Sequence, residues 1–308
     1  MKYNYLFGPV PSRRLGRSLG VDLVPHKTCT LDCVYCECGE TINLTVTRKD
    51  YVPVQSVIAE LDDYLSTAPA LDYITFSGSG EPTLHSGIGE VVDFLKRHYP
   101  QYKLCLLTNG TLFNDPSVRS AVRQIDLIIP SLDAGSEKSF QAVNRPHAVI
   151  KCEAIIDGLV KLRREYEGVI ILEIFIVPGI NDTPGELTLL KKAIDAIKPD
   201  RVQLGTLDRP GTEDWVEEAD EAKMRDVAEY LGKAELIGQF RPQRNKVCPG
   251  NPYSDQILET LRRRPCTIAD LQQITGLRPA EIQKHIRQLQ ERGKVTAVQK
   301  ERGIFYKA

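Results

Sequence analysis

Six short apolar runs, alternating with longer amphipathic stretches, constrain this chain more than any other feature. The runs at 19–24, 73–77, 103–108, 125–131, 169–177 and 201–204 are rich in Val, Ile, Leu and Phe and alternate little with polar residues. Strands that read this way are covered on both faces. Helical periodicity appears between them, over 54–65, 88–97, 150–166 and 185–197, and Pro53 and Pro184 stand near two of the starts, where a missing N–H costs nothing. Strand–helix alternation of this kind requires a parallel sheet with right-handed crossovers. The pattern predicts an α/β domain, either a partial (β/α) barrel or a doubly wound sheet, with its chemistry at the carboxyl ends of the strands.

After Gln239 the composition changes. Residues 241–252 are rich in Pro, Gly and Asn and read as a linker. Beyond it come three helical patterns, at 254–263, from Thr267 to near Gly276, and at 279–291, then two strand patterns at 294–299 and 304–307 joined by a turn at Arg302-Gly303. Thr267 with Asp270 three residues on has the form of a capping box. The order helix, helix, turn, helix, hairpin resembles the winged-helix family. The expected domains are therefore 1–240, a linker at 241–252, and 253–308.

Charge divides the chain in the same place. Residues 253–308 hold 11 Lys and Arg against 6 Asp and Glu, a net +5, whereas the whole chain carries −1. A basic winged helix has the electrostatic footprint of nucleic-acid binding, with Lys284, His285 and Arg287 on its third helix and Lys300 and Arg302 on its wing. Winged helices also dock proteins, so both partner classes stay open. The start of the chain shows no apolar leader, and the longest apolar stretch, 169–177, is interrupted by Glu173 and too short to span a bilayer. These features predict a cytoplasmic protein, where thiols stay reduced and eight cysteines read as metal ligands or buried thiols.

Three of those cysteines carry the strongest chemical signal. Cys29-Thr-Leu-Asp-Cys33-Val-Tyr-Cys36 is a CxxxCxxC run just after the first strand pattern. A [4Fe-4S] cube ordinarily takes four thiolates, so three closely spaced cysteines leave one iron open. Zinc sites favour two CxxC pairs or cysteines with spaced histidines, and His26 has no spaced partner. The run, with Tyr35 before its third cysteine, resembles the radical S-adenosylmethionine (SAM) superfamily over residues 6–232.

That resemblance implies a partial (β/α)6 TIM-like barrel holding one [4Fe-4S] cluster on Cys29, Cys33 and Cys36. The open iron would chelate the amino and carboxylate groups of SAM, and electron transfer would cleave SAM reductively to a 5′-deoxyadenosyl radical acting on an unknown substrate. An external electron donor such as flavodoxin or ferredoxin is implied as a partner. Ser77-Gly78-Ser79-Gly80-Glu81-Pro82 matches the family's Gly-Glu-Pro element, which implies SAM-binding roles for Gly78, Gly80, Glu81 and Pro82. Tyr35, Asn109 in Thr108-Asn109-Gly110, Ser131 and Asp133 in Ser131-Leu132-Asp133, and Glu173 complete the implied cofactor set. No residue is assigned to catalysis on the substrate.

Within the superfamily, Phe7-Gly-Pro-Val-Pro-Ser-Arg-Arg-Leu-Gly, Asn144-Arg145-Pro146 and Asp208-Arg209-Pro210 resemble the branch that includes the tRNA wyosine-base synthases. No cysteine precedes Cys29, however, where archaeal members carry extra ones. An RNA base is one implied substrate; a glycyl-radical activase and a cluster-gated DNA-binding regulator are the alternatives. Arg13, Arg14 and Arg17, with Arg145 and Arg209, are candidates to clamp a carboxylate or phosphate on the substrate. Cys38 and Cys248 are candidates for a second cluster, Cys105 reads as packing, and His85, His98 and His147 show no metal-ligand spacing.

Overall fold

The computed structural model describes residues 3–12, 14–237, 253–300 and 302–308. The chain opens with an antiparallel pair, β1 (Leu6–Ser12) and β2 (Gly16–Val21), and a two-residue pair, β3 (Thr28–Cys29) and β4 (Asn43–Leu44). There follow α1 (Val54–Leu65), β5 (Tyr73–Phe76), α2 (Ile88–His98), β6 (Lys103–Thr108), α3 (Pro116–Ala121), β7 (Leu127–Pro130), α4 (Glu137–Asn144) and α5 (Cys152–Glu165). The series ends with β8 (Val169–Phe175), α6 (Pro184–Ile197), β9 (Arg201–Gly205), α7 (Glu221–Tyr230) and β10 (Glu235–Leu236).

The main sheet has the order β1-β2-β5-β6-β7-β8-β9-β10, and every pair from β2 onward is parallel. A strand order that follows the sequence without reversal winds in one direction. A doubly wound sheet would reverse it at a switch point. The alternatives left open by periodicity are thereby separated in favour of the barrel-like winding.

Both faces of the sheet are buried, which is why its strands read as unbroken apolar runs. Leu104, Leu106, Ile128, Ile170, Leu172 and Ile174 pack toward the helices in the large core. Their neighbours Cys105, Leu127, Ile129 and Ile171 form a smaller cluster on the opposite face with Leu15. Cys105 is fully buried there, as packing. Helix starts follow their local chemistry. Ser136, Thr183 and Asp220 each accept a backbone N–H at the start of α4, α6 and α7, and Pro184 occupies the first turn of α6.

Among the sequence expectations that shift, the first strand and its surroundings change most. The first strand pattern, 19–24, moves back to Gly16–Val21, because Gly16 (φ 64) turns the chain out of a hairpin that the sequence reading lacked. Arg17 consequently lies within β2 instead of preceding it. The fourth pattern narrows to Leu127–Pro130, leaving Ser131 just past the strand, where it bridges to Glu173.

From residue 253 onward come α8 (Tyr253–Arg263), α9 (Ile268–Thr275), α10 (Pro279–Glu291) and the antiparallel pair β11 (Thr296–Lys300) and β12 (Gly303–Lys307). Thr267 and Asp270 make the expected capping box, and Gly276 ends α9 at φ 72. These elements have their own apolar core of Ile257, Leu261, Leu271, Ile274, Ile282, Ile286 and Leu289 with Val295. The expected linker at 241–252, with Cys248, and Arg13 lie outside the described residues. Among the described residues no helix is long and apolar enough to cross a membrane.

Candidate functional site

Cys29 ends β3, just after β2, and the chain then loops through Cys33 and Cys36 across the carboxyl ends of the parallel strands. Each sulfur receives one side-chain N–H from a different part of the fold. Asn109, after β6, donates to Cys29 Sγ at 3.4 Å; Asn144, at the end of α4, donates to Cys33 Sγ at 3.3 Å; Lys27 Nζ donates to Cys36 Sγ at 3.1 Å. Of these three donors, sequence reading named only Asn109 as a site residue. Asn144 appeared as part of a motif without a role, and Lys27 gave no signal beyond lying two residues from Cys29.

The thiols differ in how readily they ionise. Burial pushes Cys29 up to about 12, with Glu81 adding to it, and burial lifts Cys33 well above the ordinary thiol range, with Asp133 adding to it. Cys36 falls to about 6: neighbouring Cys38 lowers it most, burial opposes, and Lys27 lowers it further. Cys36 is thus the thiol that gives up its proton most readily, and metal binding, which takes thiolates, releases the protons that remain.

Two buried carboxylates brace this loop. Glu81, 2% exposed, accepts from Thr83 N at 3.0 Å, Thr83 Oγ1 at 2.6 Å, Thr108 Oγ1 at 2.7 Å and Asn109 N at 2.8 Å. Asp133, 3% exposed, accepts from Tyr35 Oη at 2.5 Å, Asn144 Nδ2 at 2.7 Å and Phe175 N at 2.8 Å. The Tyr35 ring stacks on Phe175 with centroids 3.8 Å apart. Both carboxylates thus spend their oxygens inside the protein, holding the residues that in turn touch Cys29 and Cys33. Pro82 is likewise buried, in a short 3-10 turn.

Glycine is required beside the loop for steric reasons. A Cβ on Gly80 would sit 2.2 Å from the Thr28 carbonyl oxygen, and one on Gly78, at φ 147, 2.3 Å from Asp22 Oδ1. Glu173, the carboxylate in an apolar strand, faces Arg14, whose Nη1 donates to it at 2.6 Å. That pair offsets the cost of a half-buried charge, and it gives Arg14 a protein partner.

Tyr35, Cys36, Gly78 and Glu173 line a cavity of about 1210 Å³ over the strand ends, and residues of α8 and α9 line its far side. Arg263 Nη1 donates to Asp22 at 2.6 Å, and its guanidinium lies 4.0 Å from the Phe7 ring centroid. Arg302 bridges Asp208, after β9, to Asp270 of α9. Arg209, 7% exposed, pairs with Glu37 at 3.4 Å and Asp270 at 3.7 Å. Cys38 Sγ donates to the Arg263 carbonyl at 2.9 Å. Of the basic residues that the sequence suggested for nucleic acid, Arg302 is thus engaged with the barrel, while Lys284 and Arg287 remain exposed on α10. Arg145, suggested as a substrate clamp, pairs with Glu213. His85 is fully buried, with Nε2 against the Val52 carbonyl and Nδ1 accepting from Gly87 N.

Whether the loop suits a cluster is a question of spacing. Around one tetrahedral zinc, sulfurs at ~2.3 Å from the metal lie within about 4 Å of each other. Among the described residues no three His, Cys, Asp or Glu side chains are gathered in that way. A cube of four irons takes each cysteine on a different iron and needs a wider triangle. Cys29, Cys33 and Cys36 do lie within electrostatic reach of one another. Half-buried thiols with one side-chain N–H donor apiece fit that group.

A family model for the radical SAM superfamily matches residues 23–190, more than half of the chain. The chain belongs to the radical SAM superfamily. The cofactors of this superfamily are a [4Fe-4S] cluster and SAM. The chain is 34% identical over 298 residues to a protein of Brachyspira hyodysenteriae named GTPase Obg, covering 96% of this chain and 44% of that one. It is 32% identical over 212 residues to the UPF0026 protein MJ1312 of Methanocaldococcus jannaschii, covering 68% and 65%. This chain thus spans less than two thirds of either relative. It contains no GxxxxGK[ST] run, the phosphate loop of P-loop GTPases.

Solved structures agree on the fold. A radical SAM methyltransferase from Sphaerobacter thermophilus aligns at TM-score 0.52 and 18% identity, over 71% of this chain and 65% of that one. SuiB of Streptococcus suis, solved with SAM bound, aligns at 0.52 and 13% identity, over 71% and 49%.

Proposed function

We propose that this chain is an enzyme in which Cys29, Cys33 and Cys36 hold one [4Fe-4S] cluster and the loops carrying Gly78, Gly80 and Asn109 seat SAM beside it. The observation that carries this reading is the set of three thiols, each met by a side-chain N–H from a different element, at the carboxyl ends of parallel strands. Bound there, cluster and SAM would supply reductive cleavage to a 5′-deoxyadenosyl radical that takes a hydrogen atom from substrate, given an electron from a donor such as flavodoxin or ferredoxin. The residues of the chain bind, orient and exclude water. Tyr35, clamped between Phe175 and Asp133, fixes the approach to Cys36. Glu81 holds the backbone of Asn109, and the Arg14–Glu173 pair forms a polar wall of the chamber.

The substrate would lie in the same chamber, between the strand ends and the helices α8 and α9. Residues 253–308 read as a winged helix whose α9 side faces the barrel. In this reading the unit is part of the substrate enclosure. Electron paramagnetic resonance (EPR) on the reconstituted, reduced protein tests the proposal. A [4Fe-4S]⁺ signal that changes when SAM is added supports it, and a signal indifferent to SAM refutes it.

A nucleic-acid substrate, as in the wyosine-like branch, is favoured by one observation: α10 packs on α8 and α9 and turns Lys284 and Arg287 to solvent. It predicts tRNA co-purifying with the protein and a modified nucleoside missing from a deletion strain. An unchanged nucleoside profile removes it.

A further inference from the structure

Lys27 stands where a lysine has little reason to be. It is 3% exposed, and its backbone, at φ 54, is left-handed, a conformation that L side chains seldom adopt. Its N–H donates to the Ser79 carbonyl at 3.0 Å, and its own carbonyl accepts from Ile42 N at 3.1 Å and Asn43 N at 3.0 Å. The side chain is thereby given one direction. Nζ reaches Cys36 Sγ at 3.1 Å, and among the described residues no carboxylate pairs with it. A buried ammonium persists only where something negative takes the place of a carboxylate.

We propose that Lys27 is a potential-setting residue for the cluster, its ammonium on Cys36 Sγ favouring the one-electron-reduced form over the oxidised form. The inference rests on the reading that Cys29, Cys33 and Cys36 hold a [4Fe-4S] cluster. Asn109 and Asn144 make the neutral counterparts of this contact at Cys29 and Cys33, and Lys27 brings a full charge. Hydrogen bonds to the sulfurs and local charge are among the levers that set cluster potentials. Reduction adds negative charge at the sulfurs, so a fixed cation favours the reduced state more than the oxidised one. The electron comes from a low-potential one-electron reductant, dithionite in the test. No bond forms or breaks, and Lys27 keeps its proton.

The test uses the full chain reconstituted with iron and sulfide, as wild type, Lys27→Met, Lys27→Gln and Lys27→Arg. All three replacements are unbranched at Cβ, so the left-handed backbone is treated alike. Iron and sulfide content is measured first, then the midpoint potential by EPR-monitored titration. Lys27→Met is expected to lower the ratio of reduced to oxidised cluster at a fixed potential about tenfold, as loss of a charge-assisted hydrogen bond does, which for one electron is a fall of about 59 mV. Lys27→Arg is expected to stay near wild type. A Lys27→Met cluster with the wild-type midpoint overturns the proposal. If the Met variant fails to assemble, Lys27→Gln decides in the same way, because it keeps an N–H donor without the charge. Wild type that takes up no [4Fe-4S] cluster overturns the underlying reading and this inference with it, and the iron and sulfide content separates that failure from the other.

Discussion

Changing Glu81 to Gln alters one atom in a carboxylate and tests how the loop over the strand ends is held. Four donors converge on Glu81, and two of them are backbone N–H groups that cannot rotate: Thr83 N at Oε1 and Asn109 N at Oε2. The threonine hydroxyls can turn to accept, but these two cannot. With the NH2 at the Oε1 position its two N–H groups can donate to the Thr83 and Thr108 hydroxyls but Thr83 N loses its acceptor, and with the NH2 at Oε2 Asn109 N loses its acceptor instead, so in either orientation at least one buried backbone donor is left unsatisfied. Each unsatisfied buried group costs about 1–3 kcal/mol. The opposing term is relief of a buried charge, since burial raises the Glu81 carboxyl above its ordinary range while bonds from Thr83, Asn109 and Thr108 pull it back. Those bonds make the ionised form well solvated by the protein, so the donor clash should win by about 2–3 kcal/mol. For a domain of this size that is a fall in Tm of roughly 4–12 °C. Because Asn109 also donates to Cys29, the effect should extend to the loop. Thermal unfolding followed by circular dichroism gives the first quantity, and amide hydrogen exchange at residues 108–111 and 28–31 gives the second. A variant as stable as wild type, with unchanged exchange in both segments, would show that Glu81 does not organise the site.

Two further outcomes follow from the same contacts. Burial lifts Asp133 to about 6, against hydrogen bonds from Tyr35, Asn144 and Phe175, so the folded protein binds an extra proton between about pH 4 and pH 6. The unfolding free energy of the metal-free protein should therefore rise as pH falls through that window, by on the order of 3 kcal/mol, relative to Asp133→Asn. Parallel urea-melt profiles for the two proteins would contradict this. Arg302 joins the barrel to α9 through Asp208 and Asp270, all three at least three-quarters buried. A double-mutant cycle of Arg302→Met with Asp208→Asn should give a coupling of about 2 kcal/mol, with faster hydrogen exchange in α9. A coupling near zero would show that this contact does not join the two units.

How far the sequence speaks for itself differs from one element to the next. The helices at 54–65 and 279–291 and the capping box at Thr267 agree with the structure to the residue, because their signals are local: periodicity, a proline at the start, a side chain three residues from its partner. The strand β1 was not legible, since Gly8, Pro9 and Pro11 are residue types that strand interiors disfavour. The strand β10 has two residues, too few for any period. At the site, the motifs drew attention to Cys29, Cys33, Cys36, Glu81, Asn109 and Asp133, but the direction of the side chains was not legible. Glu81 turns to Thr108, 27 residues away, and Asp133 to Phe175, 42 residues away, and no spacing encodes such partners. Arg302 looked like a wing residue for nucleic acid because its acidic partner in the barrel, Asp208, is 94 residues distant. Lys27 was passed over for the opposite reason. Its partner is close in sequence, yet a single lysine beside a cysteine motif is indistinguishable from a solvated one until burial is known.

The most direct test of the account is chemical. The protein is reconstituted anaerobically with iron and sulfide, reduced, mixed with SAM and assayed for 5′-deoxyadenosine, beside a variant with Cys29, Cys33 and Cys36 all changed to Ala. The account predicts 5′-deoxyadenosine from the wild type and none from the variant. Equal amounts from both, or none from a wild type whose reduced cluster is seen by EPR and does not respond to SAM, would contradict it.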